Sequence, residues 1–83
     1  MTEANVALAE LVRTLVTQLV DNPEAVEVAD TLQEDGTLYI EVSLDEDDIG
    51  KVIGRQGRVI KAIRTLTRAA ASQRHTHVEV ELA

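Results

Sequence analysis

Between residues 4 and 20, apolar side chains recur every three or four positions. Leu8, Leu11, Val12, Leu15 and Leu19 fall on one stripe and predict an amphipathic helix. Asp21-Asn22-Pro23 ends it, because the residue before a proline disfavours helical backbone. Val26, Val28 and Leu32 then alternate with polar residues, an imperfect strand interrupted by Ala29 and Asp30. Asp35-Gly36 is a tight-turn signal, and Leu38, Ile40, Val42 and Leu44 alternate cleanly with Tyr39, Glu41 and Ser43. A hairpin is the expected result.

Past the hairpin the period changes. Asp45 is placed to cap a helix carrying Ile49, Val52 and Ile53, and Asp48 favours its positive end. Gly54 stops that helix. A further helix is expected from near Gly57 to about Ser72, with Val59, Ile60, Ile63, Leu66 and Ala70 on its apolar face. Arg58, Lys61, Arg64 and Arg68 fall opposite, at steps of three and four. In residues 76–82, Val78, Val80 and Leu82 alternate with His77, Glu79 and Glu81, which predicts a last strand. The order is α-β-β-α-α-β. A three-stranded sheet covered on one face by three helices buries every apolar stripe, so the expected class is α+β. At 83 residues the chain has room for one domain, 1–83.

Composition narrows the chemistry. The absence of cysteine excludes disulfides, thiolate metal sites and thiol nucleophiles. Glu3 and Glu10 sit where a signal peptide needs positive charge, and no apolar run is long enough to span a membrane. These readings point to a cytoplasmic protein. The formal net charge is −7, but it is divided unevenly. Residues 1–48 hold thirteen acidic side chains and one basic one, whereas residues 49–83 hold seven basic and two acidic. No Asp or Glu lies between Ile49 and Arg74. Local field, not total charge, decides what docks there.

Inside that basic stretch stands Gly54-Arg55-Gln56-Gly57. The first glycine can leave a helix with positive φ, and neither glycine carries a Cβ to hold a ligand away. The helix that follows directs its positive end at the loop, an arrangement that attracts phosphate. Arg55 and Gln56 project as donors to phosphate or sugar, with Lys51, Arg58 and Lys61 nearby. Ile49, Val52, Ile53 and Ile60 are candidates for an apolar floor beneath unstacked bases. A bare GxxG also describes an ordinary helix corner. The longer pattern Ile-Gly-Lys-Val-Ile-Gly-x-x-Gly-x-x-Ile, from Ile49 to Ile60, is far more specific.

That pattern resembles the signature of the KH domain, whose GXXG loop clamps about four nucleotides of single-stranded nucleic acid. The element order resembles the type II arrangement and implies a sheet of mixed strand directions. Nearly the whole chain is similar to the KhpA family of small bacterial proteins built from a single KH domain. The resemblance implies a cytoplasmic RNA-binding protein and RNA chaperone of low sequence specificity. It also implies self-association and pairing with a KhpB (Jag/EloR)-type partner in post-transcriptional regulation. Carried over by position, Gly54, Arg55, Gln56 and Gly57 become the phosphate clamp. The groove falls to Ile49, Val52, Ile53, Ile60 and the inward edge of the 38–44 strand.

Other readings fit less well. Sheet-stacking RNA modules need aromatics, and here Tyr39 stands alone among Glu27, Glu41, Glu79 and Glu81. His75, His77 and Glu79 have metal-like spacing but sit near a chain end as edge residues. Ser43 and Ser72 lack the context of an activated nucleophile, and residues 50–57 fail the P-loop pattern. No enzyme activity and no cofactor are expected. The rival is a protein-docking module of a ribonucleoprotein or cell-envelope regulatory complex, with the apolar stripe of helix 4–20 or the acidic first half facing the partner.

Overall fold

A computed structural model describes residues 2–83. Helix α1 spans Glu3–Thr17 and is capped by Thr2, whose Oγ1 accepts the Asn5 N–H at 3.2 Å. Its buried stripe is Asn5, Leu8, Val12 and Val16. The helix therefore stops three residues before the position expected from periodicity. Leu19 lies in the following turn, 40% exposed, while Val16 takes the inward place. A single 3-10 turn, Pro23–Ala25, leads to strand β1, Glu27–Leu32.

β1 pairs antiparallel with β2, Thr37–Ser43, in the register Val28↔Val42, Asp30↔Ile40 and Leu32↔Leu38. The turn between them closes with Gly36 N–H donating to Gln33 O at 3.0 Å. Thr37 N–H also donates to the Asp35 carboxylate at 2.9 Å, which holds that carboxyl below its usual range. The hairpin stands as expected. The imperfect first strand is an edge strand: Leu32 is exposed near its end, and the half-buried Asp30 shares the face of Val28. An inward charge on an edge discourages pairing with another strand.

Asp45 caps a 3-10 turn, Glu46–Asp48, by accepting from Asp47 N–H at 2.9 Å. Helix α2 begins only then and is short, Ile49–Ile53. After the loop, α3 spans Arg58–Gln73 and β3 spans His77–Leu82. β3 pairs parallel with β2, so the sheet order is β1-β2-β3 with mixed directions. This is the α+β class and the α-β-β-α-α-β order expected from the sequence.

The central strand β2 supplies Leu38, Ile40 and Val42 to the core, all fully buried. They meet Leu8, Val12 and Val16 from α1, Val52 from α2, Ile60, Ile63 and Ala71 from α3, and Val78 and Val80 from β3. α1 packs on β1 and α3 packs on β3, while α2 packs on α3. The buried stripe of α3 is Ile60, Ile63, Thr67 and Ala71; of the expected face, Val59 and Ala70 pack half-buried against the core, and Leu66 does not. Steps of three and four permit either row. The buried one includes Thr67 because its hydroxyl donates to Ile63 O at 2.7 Å, which removes the cost of burying it. Leu66 is left 54% exposed.

Candidate nucleic-acid interface

α2 and α3 meet at residues 54–57, and the backbone there explains both glycines. Gly54 closes α2 by donating its N–H to Gly50 O at 2.9 Å, with φ 77° and ψ 173°. An L-residue rarely adopts that conformation. A Cβ on Gly54 would also strike Val59, 2.8 Å from its Cβ and 2.9 Å from its backbone nitrogen. The first glycine thus lets the start of α3 lie directly against the end of α2. Gly57 is left-handed at φ 74°, but a Cβ there would meet nothing within 4 Å.

Between them Gln56 is also left-handed, at φ 56° and ψ 25°. For a residue with a Cβ this costs about 1 kcal/mol. Two successive left-handed residues turn the chain sharply and leave Arg55 and Gln56 exposed at the tip. Arg58 Nη2 donates to Gln56 Oε1 at 3.1 Å. With its oxygen so engaged, the exposed Gln56 keeps its amide NH₂ available as a donor.

Six of the seven cations of the second half, all but Arg74, divide by partner. Lys51 Nζ lies 2.9 Å from Asp21 Oδ2 and 3.3 Å from Asp48 Oδ1. Arg64 Nε donates to Val80 O at 3.0 Å, covering part of the outer edge of β3, and Arg68 pairs with Glu79 at 3.1 Å. Arg55, Arg58 and Lys61 are exposed, and none has an acidic partner within 4.0 Å among the described residues. The positive end of α3 adds its partial charge at the same place. A strongly acidic chain thereby presents a corner of one sign, with donors at its tip.

Of the expected apolar floor, Val52 and Ile60 are buried in the core and support it from below. Ile53, 37% exposed, and the half-buried Ile49 are the parts open to a ligand. The outward face of the sheet is different. Its register sets Glu41 beside Glu81 and Tyr39 beside Glu79, a surface unfavourable to a polyanion. At the far end of α3, His75 and His77 are exposed and Glu79 is held by Arg68.

Sequence reading did not find the role of Asp48. Its side chain is 1% exposed. One carboxylate oxygen accepts Asp21 N–H at 3.2 Å and the other accepts Asn22 N–H at 3.0 Å. Asn22 Nδ2 adds a bond to Asp45 at 3.0 Å. Asp48 therefore ties the approach to α2 onto the chain that leaves α1. Desolvation pushes its carboxyl up, but the two backbone donors and Lys51 outweigh that and hold it below the usual range. The hydrogen bond to Asp21, followed by that to Asp48, raises the Lys51 ammonium.

A family model described as KhpA/KhpB, KH domain, matches residues 9–82. RNA-binding protein KhpA of Caldanaerobacter subterraneus subsp. tengcongensis is 47% identical over 75 residues, 90% of this chain and 99% of that protein. RNA-binding protein KhpA of Clostridium perfringens is 44% identical over the same shares. Among solved structures, Era in complex with MgGDPNP and nucleotides 1506-1542 of 16S ribosomal RNA superposes with a TM-score of 0.65 at 23% identity. An Era variant of Aquifex aeolicus bound to GDP.AlF4- gives 0.63 at 22%. These cover 98% and 99% of this chain but only 30% and 31% of the Era chains, and at that identity they speak for the fold alone.

Proposed function

Because the chain belongs to the KH-domain family of KhpA and KhpB, we propose that it binds single-stranded RNA, without catalysis, by seating the phosphate backbone on residues 54–57. The observation that carries this reading is the corner itself. Gly54 allows close approach, Arg55 and Gln56 stand exposed, and Arg58 and Lys61 beside them lack acidic partners among the described residues. The names of the relatives, RNA-binding proteins that match over nearly their full length, support the same ligand.

A loop of this size grips about four nucleotides, so base contacts are few and sequence selectivity is low. That suits an RNA chaperone. The setting is the cytoplasm, and useful affinity arises when a second site is linked to the first. Self-association, or pairing with a KhpB-type KH protein, supplies that site. Leu66, exposed between Ala62 and Ala69 on one face of α3, offers an apolar surface for it.

The test is a fluorescence titration with labelled single-stranded RNA at several salt concentrations. Contact with about four phosphates releases counterions, and log K falls against log salt with a slope near −3. A flat response contradicts the backbone clamp.

A further inference from the structure

Among the described residues, Lys51 is the one cation near the loop that is held by acids. Its two partners differ. Asp48 is buried and fixed by the backbone N–H groups of Asp21 and Asn22, so it cannot leave. The Asp21 side chain is 76% exposed, and its carboxylate has no hydrogen-bond donor besides Lys51 among the described residues. Exposed ion pairs of this kind contribute little to stability, and a competing anion can open them.

Lys51 stands three residues before Gly54, about 4.5 Å further back along α2. Helical side chains lean toward the N-terminus, and Lys51 does so, bonding Asp48 at i−3. A rotamer change brings its four-carbon arm forward to the loop without moving the backbone. The side chain is 45% exposed, so that path is open to solvent.

We propose that Asp21 is a brake on the clamp: it withholds Lys51 from the phosphate backbone, and RNA gains this extra contact only by displacing it. The inference rests on the RNA-binding reading above. It makes the connection between α1 and β1, distant in sequence from the loop, a determinant of RNA affinity.

The test compares Asp21→Asn with Asp47→Asn, measuring affinity for a fluorescein-labelled oligouridylate across a salt series. Asp47 is an exposed acid of the same region that does not touch Lys51, so its variant removes equal charge while leaving both ion pairs of the lysine in place. Asp21→Asn is expected to bind about three- to fivefold more tightly at low salt, with a slope steeper by about 0.7, one added phosphate contact. Asp47→Asn is expected to keep the original slope. Adding Lys51→Met to Asp21→Asn restores that slope, with circular dichroism confirming the fold. Equal responses to Asp21→Asn and Asp47→Asn, or a steeper slope that survives Lys51→Met, overturn the brake alone. Failure of the unaltered chain to bind the oligonucleotide overturns the brake and the RNA reading together.

Discussion

Replacing Arg55 and Gln56 together by aspartate is expected to weaken binding to single-stranded RNA by about 100-fold while leaving the fold intact. The substitution removes a charged and a neutral donor from the loop tip and puts two anions where phosphate would lie. A charge-assisted hydrogen bond is worth about 1.5–3 kcal/mol, and the new repulsion adds to its loss. Stability should change by no more than about 0.5 kcal/mol, because both side chains are exposed and outside the core. Position 56 is left-handed, a conformation aspartate tolerates better than most residues. Electrophoretic mobility shift together with thermal melting separates the two effects. Unchanged RNA affinity would favour the protein-docking reading.

The second large effect is on folding, and it distinguishes two glycines that look equivalent in the sequence. Gly54→Ala combines a backbone conformation essentially reserved for glycine with a Cβ driven into Val59. About 2–4 kcal/mol should be lost, a fall in melting temperature of roughly 10–20 °C for a domain of this size. Gly57→Ala meets no neighbour and carries only the left-handed penalty, about 1 kcal/mol. Melting followed by circular dichroism gives both values. Equal losses would mean that contact with Val59 does not decide the first position.

The contrast shows which parts of this molecule local patterning reveals. The 38–44 alternation and the Asp35-Gly36 turn report their structure directly, since register and turn chemistry are short-range properties. The glycine corner was equally visible, because leaving one helix and starting another within four residues requires unusual backbone angles. The inward row of α3 was not. Leu66 and Thr67 are both permitted by helical spacing, and choosing the threonine depends on the Ile63 carbonyl that satisfies it. Asp48 was less visible still. As a residue near a helix start it reads as a partner for the helix dipole, whereas its acceptors are filled by backbone 26 and 27 residues earlier. Val52 and Ile60 belong to the same lesson: their spacing marks them as apolar, but only packing decides whether they face a ligand or the core.

The charge split also acquires a geometric meaning. Lys51, Arg64 and Arg68 are engaged by the protein's own oxygens, which leaves Arg55, Arg58 and Lys61 to set the field near the loop. The opposite sheet face carries Glu27, Glu41, Glu79 and Glu81. A polyanion should therefore meet this small acidic domain from one side.

Backbone amide shifts of the isotopically labelled protein, followed during titration with single-stranded RNA, show where that contact forms. The account predicts that the largest changes fall on residues 54–58 and on Ile49 and Ile53, with Tyr39, Glu41 and Glu81 nearly still. Changes concentrated on the outward sheet face, with the glycine corner unmoved, would contradict it.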